Sequence, residues 1–384
     1  GKPPVEFSAE KNVHWKVEVP HGHSSPCIWG DKIVLTGLDN GKLVTFCLNR
    51  ADGRELWRVA APTEKIEAAH RIGSPASTTP APDGERVFVY FGSFGLLAYD
   101  LAGRELWRKP LPIPMIEFGS GASPILAGDV IVLLCDQDLG SFLLTVDRRT
   151  GQTVWKTERP EFRRGFSTPY LWRQNGVEEI VVTGTVWLKA YDLKDGRERW
   201  RMRGLARVTN ASPTSGDGLL FTSSWNIGGD ARDHLTLPPW AEFTAANDRD
   251  KNGQFSKEEF PAGPLRDRFT QIDLDKDGLV TAGEWRISEE IFARAENALF
   301  AVRPGGRGDI TETHLAWKQT RGLPYVPSAL FYDGRVYVVK NGGLASCYDA
   351  KTGRTLYQEE RLGALGDYYS SPVAADGKVY FTSQ

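Results

Sequence analysis

Methionine is nearly absent, with two residues in a chain of 384. Cysteine is scarce too: Cys27, Cys47, Cys135 and Cys347 stand far apart, so no pair has the CxxC spacing of a zinc site or redox motif. Such isolated cysteines are ordinarily small buried strand residues, and only a Cys27–Cys47 disulfide stays open. No apolar run approaches the ~18 residues of a spanning helix. The formal net charge is -2, which leaves no basic footprint for nucleic acid. No nucleophile elbow, phosphate loop or HExxH motif occurs, and Gly228-Gly229 and Gly342-Gly343 read as turns. Gly1-Lys2-Pro3-Pro4 has no signal-peptide pattern, although a cleaved signal would leave no trace.

What the chain has is turn chemistry and tryptophan. Forty Gly and 23 Pro point to many turns and little helix, and there are 12 Trp. One phrase recurs, an Asp followed by a Gly turn and then Trp. It ends at Trp57, Trp107, Trp155 and Trp200, and a late copy, Tyr348-Asp349 to Tyr357, has Tyr in the Trp place. A second phrase alternates with it, a small hydroxyl residue beside Pro followed by a β-branched or aromatic run: Ser25-Pro26, Thr79-Pro80, Ser123-Pro124, Thr168-Pro169, Ser212-Pro213, Pro327-Ser328 and Ser371-Pro372. From Trp15 the steps are 42, 50, 48 and 45 residues, then 117 to Trp317 and 40 to Tyr357. Periods of ~40–50 residues with several short strands each predict an all-β fold, a β-propeller of four-stranded antiparallel blades. One blade cannot bury both faces of its sheet, so blades stack around an axis. The Trp ring should plug the seam between neighbours, leaving its N–H for a hydrogen bond.

Trp15 sits in a blade-ending segment with no blade before it, and Phe381-Thr382-Ser383-Gln384 falls in mid-blade. The expectation is a propeller whose C-terminal part is shortened by one to two blades, with Trp15 supplying the closing strand.

The 117-residue step contains a separate module. Removing 226–296, 71 residues, leaves an ordinary blade, so the expected division is propeller (1–225), insertion (226–296) and propeller again (297–384). The insertion has 15 Asp/Glu against nine Lys/Arg. Two stretches in it match the calcium pattern D-x-[DN]-x-[DN]-G-x5-E, one over 248–259 and one over 273–284. Ca²⁺ takes six to eight oxygens. The pattern assigns Asp248, Asp250, Asn252, the Gln254 carbonyl, Ser256 and Glu259 to one site. It assigns Asp273, Asp275, Asp277, the Leu279 carbonyl, Thr281 and Glu284 to the other. Apolar Phe255 and Val280 at position 8 should pair through a short β-bridge. Pro261 and Pro264 should cut the first exit helix short, with Leu265, Phe269 and Ile272 on one face of the next.

The phrases Tyr191-Asp192-x-x-Asp195-Gly196-x-x-x-Trp200 and Ser-Pro before a strand resemble the pyrroloquinoline-quinone-like (PQQ-like) β-propeller repeat. That family includes quinoprotein dehydrogenases and the propeller lipoprotein of bacterial outer-membrane protein assembly. The insertion resembles an EF-hand pair. The resemblance implies an eight-bladed fold when complete and a periplasmic or secreted location. The quinoprotein alcohol dehydrogenases resembled here set an adjacent Cys–Cys disulfide against the quinone. This chain has no adjacent Cys pair, so PQQ is not expected and two Ca²⁺ ions are.

The function expected is a calcium-binding, non-catalytic binding or scaffold module outside the cytoplasm. A quinone-dependent dehydrogenase of alcohols or sugars is the first alternative and a carbohydrate-binding propeller the second. A monomer is expected, with a protein, peptide or glycan ligand at the propeller mouth. His23, Arg71, Asp136, Trp225, Lys340 and Tyr369 lie at strand ends and before the Ser-Pro units, which should crowd that mouth. His21-Gly22-His23 is the one close His pair, and solvated loop histidines explain it better than a metal.

Overall fold

In the computed structural model, residues 3–230 and 234–384 are described. Six sheets, each built on four antiparallel strands, follow one another along the chain, at 27–60, 81–110, 125–158, 170–203 (which gains a fifth strand), 214–319 and 330–361, with a two-stranded sheet after them at 373–380. Each is a meander in which consecutive strands pair, as expected of propeller blades, here numbered 1 to 6. The middle strands, such as Arg86–Phe91 and Gly95–Asp100 of blade 2, are buried on both faces, hence their near-continuous apolar composition. The cores lie between sheets. One packs Phe88, Tyr90 and Trp107 of blade 2 against Ile131, Leu133 and Leu144 of blade 3, and equivalent clusters fill the other seams.

Both repeated phrases act across these seams. The indole N–H groups of Trp57, Trp107, Trp155 and Trp317 donate to the carbonyls of Leu101, Arg148, Leu193 and Ala350 in the next blade, at 2.8–3.1 Å. Each ring lies flat on the next blade's turn glycine: a Cβ on Gly103 would come 2.7 Å from Trp57, and one on Gly151 2.6 Å from Trp107. These glycines also have φ near +70 to +85°, so turn geometry and ring packing both demand the same residue. The hydroxyl phrase builds a second ring. The backbone N–H of Ser25 donates to Thr79 Oγ1, Thr79 to Ser123, Ser123 to Thr168, Thr168 to Ser212, Ser212 to Ser328 and Ser328 to Ser371, at 2.8–3.1 Å.

Trp200 departs from this pattern. It has the same register as the others, opposite Ala190 beside the same bulge, but its N–H donates to Glu179 Oε2 within its own blade. The loop 303–314 of blade 5 is long and lays Gly308–Asp309 alongside Glu198–Arg203 as a parallel fifth strand, covering Trp200 completely.

Residues 3–20 form no strand. Trp15 nevertheless takes a plug position, donating to the Arg50 carbonyl at 2.9 Å and stacking on Gly53, while Phe7 lies 6.3 Å from Tyr380 of the last sheet. The cysteine bridge left open by the sequence does not form. Cys27 and Cys47 both pair with Val34 from opposite sides, so two strand spacings of ~4.8 Å separate them, beyond disulfide reach, and all four thiols are free.

Between Ser224 and Ala298 the chain leaves blade 5 at the turn between its second and third strands. Asn297 closes the base: its side chain accepts from Asn226 N–H at 2.8 Å and donates to the Asn226 carbonyl at 3.0 Å. Four helices follow, α1 (Trp240–Asn247), α2 (Pro264–Asp267), α3 (Phe269–Ile272) and α4 (Ala282–Arg294). Residues 231–233 of the insertion lie outside the described residues. A core of Phe243, Phe255, Phe260, Phe269, Ile272, Val280, Trp285 and Phe292 holds the insertion together. Among the described residues no helix is long and apolar enough to cross a membrane.

Candidate functional site

The two acidic loops lie side by side. Phe255–Ser256 pairs antiparallel with Leu279–Val280, Phe255 opposite Val280, and both apolar residues are fully buried. Gly253 and Gly278 turn the chain at φ 74° and 89°. In the first loop, carboxylate oxygens of Asp248, Asp250 and Glu259 lie within 4.8 Å of one another; in the second, those of Asp273, Asp275 and Asp277 do. The closing Glu284 is tied back instead: Oε1 accepts from Leu274 N–H at 2.7 Å and Oε2 from Thr281 N–H at 2.8 Å. Thr281 and Glu284 thereby form the capping box that starts α4. Ser256 and Thr281 donate their hydroxyls to Glu259 and Glu284 at 3.0 and 2.9 Å.

A test of whether these loops suit a cation lies in their unpaired atoms. Asp248 and Asp273, first residue of each loop, each bury one carboxylate oxygen, Oδ1, with no hydrogen-bond partner. Buried acceptors are normally satisfied, and like charges gathered within 5 Å repel. Burial pushes the Asp273 carboxyl up, against hydrogen bonds from Gly278 and Lys276. An oxygen-seeking cation resolves both problems at once, so the donor set fits Ca²⁺.

The channel-mouth candidates have different local surroundings. Arg71 is exposed in the connector between blades 1 and 2. His23 is exposed; its backbone N–H donates to the Ala76 carbonyl, and partial desolvation, then His21, holds its imidazole below the usual range. Trp225 packs edge-on against Tyr325 at 5.7 Å, Lys340 pairs with Glu359 at 2.5 Å, and Tyr369 donates to Asp367 at 3.3 Å. Asp136 is the buried member of the set. It is fully buried, taking Arg159 Nε and Nη2 at 2.8 Å each, with the guanidinium 3.7 Å from the Phe162 ring centre. Its strand end points into the blade 3–4 seam, where Tyr191 also meets Arg159.

Sequence reasoning missed two groups. Glu67, in the connector after blade 1, is buried and accepts from Ser120 Oγ at 3.0 Å, and burial pushes its carboxyl to about 7. The other is a set of arginines, Arg163, Arg164 and Arg207, under the insertion. An Arg beside the apolar Leu205-Ala206 in a blade connector was the available signal for Arg207.

Residues 6–173 match a family model described as outer membrane protein assembly factor BamB. Over these residues the chain is similar to the PQQ-like propeller repeat. It is 29% identical over 140 residues to BamB of Alkalilimnicola ehrlichii, which is 36% of this chain and 33% of that protein. It is 24% identical over 181 residues to quinohemoprotein alcohol dehydrogenase ADH IIB of Pseudomonas putida, 43% of this chain and 26% of that protein. The chain thus spans about a quarter to a third of the curated relatives it matches. The crystal structure of BamB from Moraxella catarrhalis superposes with a TM-score of 0.54 at 13% identity, covering 98% of this chain and 84% of that one, a likeness of fold. The family match stops short of the insertion.

Proposed function

We propose that this protein is a calcium-binding β-propeller that acts as a non-catalytic scaffold in the periplasm or outside the cell, with a protein or peptide as its partner. The pair of unpaired, buried position-1 carboxylate oxygens in adjacent acidic loops carries the calcium part of this reading. Asp248, Asp250, Asn252, the Gln254 carbonyl, Ser256 and Glu259 would hold one ion. Asp273, Asp275, Asp277, the Leu279 carbonyl, Thr281 and Glu284 would hold the other. Ca²⁺ there would supply charge neutralisation and cross-linking, and its work would be structural. Likeness to BamB supports the scaffold part by analogy, since the fold alone does not fix function.

Calorimetric titration of the metal-free chain checks the ion count. Two Ca²⁺ per chain are expected, falling to one in Asp273→Asn. No calcium uptake at millimolar concentration would defeat the reading. The dehydrogenase alternative rests on the likeness to the Pseudomonas putida enzyme. Under the scaffold reading, added quinone with Ca²⁺ should drive no dye-linked oxidation of alcohols or sugars, and stoichiometric dye reduction would favour the enzyme.

A further inference from the structure

Where the insertion lies over the propeller, a small cavity of about 40 Å³ opens on one side. The connectors after blades 3 and 4 supply Arg163, Arg164 and Arg207, and the insertion supplies Gln271 and Phe292. The positive charges are unequally matched. Arg164 is fully committed, donating to Asp138 at 2.6 Å, Glu117 at 2.5 Å and the Thr270 carbonyl at 3.4 Å. Asp138 is shared with Lys276 at 3.6 Å, so this carboxylate has no charge to spare.

Among the described residues Arg207 has no carboxylate near it, and Arg163 feels those of Asp138, Glu161 and Asp136 without pairing with any of them. Arg163 spends Nη1 on the Pro160 and Phe162 carbonyls, and its buried Nε has no acceptor. Arg207 lies over the Phe292 ring at 5.6 Å and its buried Nε likewise has no acceptor. Neither forms an ion pair among the described residues, and the charges nearest Arg207 are Arg268 and Arg164. Burial, then those two arginines, pulls the Arg207 guanidinium down to about 10. Gln271 buries an unpartnered Oε1 at the same cavity, and its amide can turn end for end to present NH₂.

A guanidinium partly withdrawn from water with no counter-charge beside it, as at Arg207, is disfavoured. A water would accept from the free Nε–H groups but bring no charge, whereas an anion does both. The cavity is small, which favours a small group, and a planar carboxylate presents two oxygens to the flat guanidinium fork. We infer that the seam between the insertion and blades 3 and 4 is a carboxylate-binding site, with Arg207 and Arg163 as its donors. The group could belong to a free small acid or to the C-terminus of a peptide, and both present the same chemistry.

Acetate is the probe for the site, and a pair of short peptides with free and amidated C-termini separates the sources. Thermal unfolding of the full chain, at constant ionic strength with chloride as the balancing salt, should shift upward by ~2 °C or more and saturate with acetate. Phosphate should produce less than half that shift. Arg207→Gln should weaken the acetate midpoint at least tenfold. Should that variant fail to fold by circular dichroism, Arg163→Gln and Arg207→Lys make the same comparison. A free-acid peptide that outcompetes its amide places a chain terminus in the site; equal peptides with acetate still active place a free acid there. No acetate-specific shift, an equal response to phosphate, or an unchanged midpoint in the folded variants would overturn the assignment.

Discussion

Blades and insertion handle buried acid differently. In the propeller each deeply buried carboxyl is dealt with from inside. Asp136 has Arg159, Asp138 has Arg164, Glu179 has Arg199 at 2.7 Å, and burial raises the Glu67 carboxyl to about 7. In the insertion, Asp273 is 4% exposed and Glu259 6%, and hydrogen bonds from backbone and hydroxyl groups are what they receive. No Lys or Arg forms an ion pair with either among the described residues. The contrast teaches where each region's stability comes from. Blades repeat a self-sufficient unit, with Trp on Gly and a hydroxyl on the next N–H at successive seams. The insertion has one aromatic core and two loops whose charges call for an ion.

The largest expected effect breaks a pair in the propeller. Asp136→Asn removes the counter-charge of Arg159, which is 1% exposed, and leaves that guanidinium buried. Losing one partner of a buried pair is destabilising by ~3–5 kcal/mol. Denaturant unfolding should show that loss across the blades, with Ca²⁺ giving no rescue. A loss under ~1 kcal/mol would mean that water reaches Arg159 and that the propeller's buried charges are not self-contained.

Chelation addresses the other side. Binding at a hundredfold excess over the dissociation constant stabilises by ~2.7 kcal/mol per site. Removing Ca²⁺ should therefore raise hydrogen exchange across 234–296 and leave the blades protected. The contacts of Arg164 with Thr270, and of Lys276 with Asp138, limit the spread to the seam. If chelator melts blades and insertion together, the two regions are not separately stabilised.

Much of this was legible in the residues, and the rest had a physical reason to be hidden. The Trp and Ser/Thr-Pro phrases marked the blades because each blade must solve the same packing problem. The hydroxyl ring did not show, since Thr79 and Ser123, or Ser212 and Ser328, meet only after blades stack. Trp200 carries the same phrase as Trp155, yet its indole turns to Glu179, because the deviation arises in the loop 303–314. The acidic loops were readable because ligand spacing is local. The pairing of Asp136 with Arg159 was not legible, because a strand-end position does not tell which side chain meets it and Arg159 lies 23 residues away.

The smallest expected effect tests whether the propeller keeps its acid neutral. Glu67 is 5% exposed, Ser120 donates to its Oε2, and its Oε1 has no partner. Its carboxyl is raised from 4.5 to about 7 in the folded chain. The folded state therefore holds a proton that the unfolded state has released between those values. The stability this contributes is fully present below pH ~4.5 and is lost as pH rises through ~7. Above that, a carboxylate sits in a pocket without a cation. Glu67→Gln keeps the shape and an oxygen for Ser120 but cannot ionise. It should match the wild type at pH 4.5 and exceed it at pH 8 by on the order of 2 kcal/mol, after allowing for local relaxation. Denaturant melts at those two pH values, with Ca²⁺ saturating throughout, read this directly. A difference that stays constant with pH would show that Glu67 is already ionised in the fold, and that the propeller, like the insertion, carries an acid group without a partner.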